Sequence, residues 1–464
     1  MISIHAIVDS GLYESKDKQP LQSLNDIRLG EVSQAPELLV HRTYQGLLDS
    51  SPIDIEHVML CMERASEIFL SDCIYGQSFE EACAAVNQMT GLPICDIQKA
   101  FEEISSFMRH IRETLSLQRR SLYCEERADG VMVMAYDRPN GEVFTAIMPG
   151  NHPAVNTVWL NALALGYKVL IKPAQDDPIT AYRMMGALEA AGLPSGWMGF
   201  LPGKRNIIQS LITLSKDQRL MFFGGQAVED MYGHLSHVII RGPGYSKVFL
   251  DETFFLESNA CLIENLAKSL SDSAGIKCTN ASGILLDHVP VSDIFEPLRA
   301  HLNQLKARPL GHRCAQLQVY SIDKAKQLIQ NLSSLNPEIS EHQMQSELLV
   351  EFGDGTAAIL PYIWIAETMP VRFEIPGVFA WIKSFRDEAE LSSTLSLSLL
   401  SNDEKRLSNC LRNAKIRKVN VGLPTTIADP RVPHDGALYD QLFERVGAMS
   451  SAQQNTLLRE QLPT

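Results

Sequence analysis

Apolar residues recur at three- and four-residue spacing from about Thr43 to Leu117, with clear helical periods over 58–70, 79–89 and 97–115. Glu102, Glu103, Arg109 and Arg112 interrupt these runs as a solvated face. The first 45 residues are mixed and short-patterned. At Gly130 the period changes, and 130–150 reads as two β-rich runs joined by Asp137-Arg138-Pro139-Asn140-Gly141, a turn signal.

Beyond it, strands and helices alternate. Helices are expected over 155–166, 180–192 and 263–275, and strands over 168–173, 219–225, 237–244, 246–252, 281–287 and 418–424. Such alternation predicts a parallel sheet covered by helices on both faces, an α/β fold. The tail from Leu438 reads as helical, then frayed.

Composition narrows the classes. Hydrophobic residues make up 45% and charged residues 21% of 464, ordinary for a globular protein with large cores. A formal net charge of -14 argues against a nucleic-acid or anionic-membrane partner. No apolar run reaches the length of a membrane span, and no signal peptide is expected. Cysteines stand at 61, 73, 83, 95, 124, 261, 278, 314 and 410 without a CxxC pair. A reduced cytoplasmic setting is therefore expected, with one or two reactive cysteines and the rest buried. His301 and His312 lack metal spacing, so no metal is expected.

Five ordered segments carry chemistry. Pro149-Gly150-Asn151-His152-Pro153 precedes a helix, and a fixed amide there could stabilise an oxyanion. Lys172 and Pro173 end a strand, where open α/β sheets bind ligands, with Gln175 just beyond. Leu201-Pro202-Gly203 and Phe222-Phe223-Gly224-Gly225 are glycine turns that let a backbone approach a phosphate. Gly275-Ile276-Lys277-Cys278-Thr279 follows a helix and offers a thiol that can attack a carbonyl and hold an acyl group. Arg372-Phe373-Glu374-Ile375-Pro376-Gly377-Val378 and Lys418-Val419-Asn420-Val421 complete the series.

Together, over roughly 120–440, these segments resemble the aldehyde dehydrogenase superfamily. The resemblance implies an α/β fold with a Rossmann-type cofactor domain, an α/β catalytic domain and an oligomerisation β-arm. The implied boundaries are 1–125 and 148–240 for the dinucleotide domain, 126–147 for the arm, 241–430 for the catalytic domain and 431–464 for the tail. It assigns Cys278 as nucleophile and Asn151 as oxyanion donor. It gives Lys172, Pro173, Gln175, Gly203, Phe223, Gly224, Gly225 and Glu374 to the cofactor, NAD or NADP. Gln175 replaces the family's Glu and removes its repulsion of a 2′-phosphate. The segment Arg372-Phe373-Glu374-Ile375-Pro376-Gly377-Val378 departs from the family's Glu-Ile-Phe-Gly-Pro-Val in lacking the Phe.

A further departure bears on chemistry. Hydrolytic members carry Glu-Leu-Gly-Gly, whose Glu activates water; here Ile240 falls at the Glu position, ahead of Arg241-Gly242-Pro243-Gly244. The pattern resembles the branch of CoA-acylating aldehyde dehydrogenases and acyl-CoA reductases. The leading expectation is therefore interconversion of an acyl thioester and an aldehyde through a thioacyl-Cys278, with coenzyme A or an acyl carrier protein as the thiol. The alternatives are a hydrolytic aldehyde dehydrogenase, with Glu252 or Glu257 as a relocated base, and a non-catalytic relative with a relict pocket. His152 and Lys277 are read as structural, and His434-Asp435 as part of the active-site rim rather than a dyad. A homodimer or homotetramer is expected.

Overall fold

The computed structural model describes residues 1–8, 11–120, 122–257, 261–335, 340–370 and 373–456. Arg372 and the last eight residues lie outside that set. A seven-stranded sheet runs in the order Val238–Arg241, Arg219–Phe223, Val143–Ile147, Lys168–Lys172, Met198–Phe200, Ala6–Val8, Gly11–Tyr13. The first five strands are parallel, and Phe200 pairs antiparallel with Ile7. Val143–Ile147 and Lys168–Lys172 are buried throughout, as strands covered on both faces must be. The chain order reverses between Val143–Ile147 and Arg219–Phe223, which opens a crevice at their carboxyl ends.

The helical expectation for 43–117 holds, resolved into Glu37–Asp49, Ile55–Ser71, Phe79–Thr90, Ile94–Arg109 and Ile111–Gln118. Local chemistry sets the ends. Asp54 caps the second of these by accepting from Glu56 N and His57 N. Ser78 and Glu81 form a capping box on the third. Gly91 stops that helix at φ +72, where a Cβ would meet the Val319 carbonyl at 1.8 Å.

A second, six-stranded parallel sheet has the order Tyr362–Ile365, Phe379–Ser384, Gly283–Asp287, Lys247–Asp251, Thr394–Leu400, Ile416–Val421. Its ladders bury Phe249, Leu285, Trp381 and Leu397.

Two expectations are corrected. The segment 126–147 is not one hairpin. Met132–Pro139 pairs antiparallel with Tyr123–Glu126 and with Phe443–Ser450, whereas Val143–Ile147 is an interior strand of the seven-stranded sheet. The Asn140-Gly141 turn carries the chain between sheets: Asn140 N donates to Leu442 O, and Gln218 Oε1 accepts from Val143 N. The tail also differs. Among the described residues of the tail, only Tyr439–Leu442 is α-helical, and Phe443–Ser450 is a strand in register with Met132–Pro139, from Phe443 against Pro139 to Ser450 against Met132. The first 33 residues, without a sequence assignment, form five short strands.

Candidate active site

The Cys278 loop is built by backbone constraint. Helix Cys261–Ser271 gives way to a kink at Asp272–Gly275, where Ser273, Ala274 and Gly275 all have positive φ. Gly275 is needed there, because a Cβ would sit 2.4 Å from the Gly377 carbonyl. Asn280 Oδ1 accepts from Lys277 N at 2.7 Å, and Asn280 Nδ2 donates to Asp272 O at 3.1 Å. The Cys278 carbonyl accepts from Ser246 Oγ at 2.9 Å. Cys278 itself is half-buried, held by main-chain pins on both sides.

The thiol faces an unexpected partner. His434 Nε2 lies 3.9 Å from Cys278 Sγ and 3.3 Å from Asp435 Oδ2. Arg241 fastens Asp435: its Nη1 donates to Asp435 O at 2.8 Å, and its Nη2 to Gln441 Oε1 at 3.0 Å. Burial works against charge on His434, but hydrogen bonds to Asp435 and Cys278 outweigh it and hold the imidazole up at about 10. Burial likewise opposes the Asp435 carboxylate, yet His434 and Arg241 keep it below the usual range. Read from sequence as part of the active-site rim, His434-Asp435 thus lies against the Cys278 thiol. The pair sits 156 residues from Cys278, a separation that no local spacing signals.

Asn151 Nδ2 donates to Ile276 O at 3.2 Å, which brings the amide against the Cys278 loop. His152 is buried, and its Nδ1 accepts from Ala154 N at the start of the 3-10 turn Pro153–Asn156. Burial, aided by the Lys277 charge, pushes its pKa well below the ordinary value, so it is neutral. Lys277 turns away from the sulfur toward Asp272 at 3.3 Å and Glu103 at 3.7 Å. Ile240 packs into the apolar cluster around Leu220 and Phe222. Glu252 and Glu257 lie past the far end of Lys247–Asp251, and Glu257 accepts from Asn402.

The residues expected at the cofactor gather along the sheet's carboxyl edge. Lys172 is buried, with Nζ donating to Pro173 O at 3.3 Å. Desolvation, with the Arg205 charge, brings its pKa down to about 8. Pro173, Gln175 and Gly203 line one cavity of about 260 Å³ together with Asp176 and Gln34. Phe223 ends its strand, Gly224 lies against Val228, and Gly225 faces open space. Glu374 stands apart from this group. Its carboxylate accepts from Gly244 N at 2.9 Å; the residue is exposed, yet desolvation of the carboxylate by the surrounding chain outweighs that bond and raises its pKa. Among the described residues, no helix is long and apolar enough to cross a membrane.

Comparison with known proteins places the chain in a family. The aldehyde dehydrogenase family model matches residues 76–345. Curated relatives include 1-pyrroline-5-carboxylate dehydrogenase of Oceanobacillus iheyensis, 26% identical over 183 residues, which are 34% of this chain and 35% of that protein. The Staphylococcus aureus (strain MSSA476) protein of the same name is 30% identical over 165 residues, 33% of this chain and 31% of that protein. The similarity thus spans about a third of the curated relatives. Among solved structures, gamma-glutamyl-gamma-aminobutyraldehyde dehydrogenase from Burkholderia cenocepacia J2315 superposes with a TM-score of 0.79 at 15% identity, covering 97% of each chain. Indole-3-acetaldehyde dehydrogenase in complex with NAD+ gives 0.77 at 15% identity, also over 97% of each. The chain belongs to the aldehyde dehydrogenase family.

Proposed function

We propose that this protein oxidises an aldehyde to a carboxylic acid with NAD or NADP, through a thioacyl intermediate on Cys278. The observation that carries the reading is the meeting of Asn151 and the Cys278 loop at the carboxyl edge of the seven-stranded sheet. The names of the curated relatives support the direction.

The residues present suit a dinucleotide. Lys172 is a buried cation whose hydrogen-bond acceptor is only a neutral carbonyl, so a polar or anionic group beside it would be favoured. Lys172, Pro173, Gln175 and Gly203 would hold the adenosine end, and Phe223, Gly224 and Gly225 the phosphates. Glu374 would lie toward the nicotinamide ribose, although its bond to Gly244 also supports the catalytic loop. The bound cofactor supplies a hydride acceptor. Cys278 attacks the carbonyl carbon, and the Asn151 amide turns from Ile276 O to hold the oxygen. On this reading the seven-stranded sheet is the cofactor domain and the six-stranded sheet the catalytic one. The three-stranded antiparallel sheet, whose edge Tyr123–Glu126 is wholly exposed, would pair with a second copy.

A second reading has its own observation. Ile240, half-buried against an apolar cluster, stands at the position of the family's water-activating carboxylate. A thioacyl enzyme short of that base would be released by a thiol, coenzyme A or a carrier protein's thiol, rather than by water.

The test is NAD(P)H absorbance with a panel of aldehydes, with and without added thiol, and with Cys278→Ala as control. Thiol-independent acid formation that Cys278→Ala abolishes supports the first reading. Strict thiol dependence supports the second. Turnover that survives in Cys278→Ala overturns both.

A further inference from the structure

We propose that His434 is the proton partner of Cys278: it takes the thiol proton, keeps it through the acyl stage, and offers it back to the sulfur on departure. The geometry carries this. Nε2 addresses Sγ at 3.9 Å and Asp435 Oδ2 at 3.3 Å, so the same ring nitrogen faces the nucleophile and a carboxylate. A nucleophile, a base within reach and a third group orienting the base is the arrangement by which a thiol is activated. Asp435 is itself held by Arg241, which reaches its main-chain carbonyl and, at 3.4 Å, its Oδ1. The inference rests on the nucleophilic role of Cys278.

Each group facing the imidazole can be named. Asp435 lies on its own loop, Cys278 on the nucleophile loop, Arg241 at the end of Val238–Arg241, and the Arg417 charge acts on Asp435 from Ile416–Val421. The raised imidazole basicity agrees with a proton resting on His434. Arg241 is a positioning residue: its guanidinium fixes the carboxylate that orients the ring.

The proton balance is simple. In the resting pair the proton sits on Nε2 and the electron pair on sulfur. Attack forms the S–C bond, and the carbonyl π pair moves to oxygen. Bound NAD or NADP would supply the hydride acceptor that takes this carbon to the thioester, a stage at which His434 still holds its proton. When water adds and the C–S bond breaks, that electron pair returns to sulfur. The Nε2–H hydrogen-bonds it as it leaves, and the two protons shed by the attacking water and by the new carboxylic acid go to solvent. Because Nε2 is aimed at the sulfur, His434 serves the nucleophile and leaving group, which is a different task from that of the missing carboxylate at Ile240.

Alkylation by iodoacetamide tests the pair without substrate or cofactor, so its failure is distinguishable from failure of the proposed oxidation. The rate at Cys278 is read by peptide mass spectrometry from about pH 6 to 9, spanning ordinary thiol ionisation. The wild type is expected to stay reactive at the acid end. His434→Gln should lose at least about tenfold in rate there while converging with the wild type at the alkaline end. Asp435→Asn should show a smaller loss of the same shape, and serves if His434→Gln does not fold. A variant profile that superimposes on the wild type, or one lowered equally at every pH, would overturn the proposal.

Discussion

Gly244 lies so close to Cys278 that a Cβ on it would sit 2.0 Å from the Cys278 carbonyl oxygen. The contact is main chain against main chain, so no side-chain rotation relieves it. Glu374 holds Gly244 in place from the other side. Gly244→Ala should therefore displace the nucleophile loop, lower turnover at least about tenfold and destabilise the fold by about 1–3 kcal/mol, as overpacking does. Steady-state kinetics and thermal melting check this together.

Lys172 gives a pH signature. Its pKa is lowered to about 8, so its charge is present below that value and lost as pH rises through it. If the ammonium helps to hold the cofactor, affinity should fall above about pH 8 in the wild type. In Lys172→Met, affinity should be at least about tenfold weaker at pH 7 and flat with pH, a loss of about 1.4 kcal/mol or more. Calorimetric titration with NAD+ and NADP+ measures both.

Asp177 should make stability depend on pH with an opposite cause. It is buried at the start of helix Ile179–Ala190, where it accepts from Thr180 N and Thr180 Oγ1. Burial dominates these bonds and pushes its pKa up from 3.8 to about 6. The folded state therefore binds the proton more tightly than the unfolded chain, and its contribution falls as pH rises from about 4 to about 6. The fall is on the order of 3 kcal/mol. Asp177→Asn, which keeps the cap, should lack that decline and match or exceed the wild type above about pH 6 in urea denaturation.

Lys383 and Glu390 form a buried ion pair at 2.6 Å in the six-stranded sheet's shell. Removing one partner strands the other. Lys383→Met should lower stability by about 3–5 kcal/mol, and the double substitution with Glu390→Gln should recover part of that loss. Denaturant midpoints of the three variants decide it.

What could be read from sequence follows from how locally each feature is encoded. Lys168–Lys172 and Lys247–Asp251 are unbroken buried runs, and their flanking glycines and helices give parallel topology without distant information. Met132–Pro139 and Val143–Ile147 carry similar apolar patterns, so only their partners distinguish an arm strand from an interior strand. Those partners are remote: Phe443–Ser450 for one, Arg219–Phe223 for the other. Phe443–Ser450 itself has no buried position, and its apolar residues Phe443, Val446, Ala448 and Met449 keep no strict alternation in sequence. In the site, the Asn151 and Cys278 loops each carry a short local motif, one after a strand of the seven-stranded sheet and one before a strand of the six-stranded sheet, so sequence alone could single them out. His434 was not, since its meaning comes from a contact across 156 residues and from Arg241, whose strand had been read for its neighbour Ile240.

The most direct test of the account is to trap the intermediate. The protein is mixed with an aldehyde substrate and oxidised cofactor, quenched in acid and digested, and the Cys278 peptide is weighed. An added acyl mass on Cys278, cleaved by hydroxylamine and missing in Cys278→Ala, is the predicted result. Continued aldehyde oxidation in Cys278→Ala, or an acyl mass on a different residue, would contradict it.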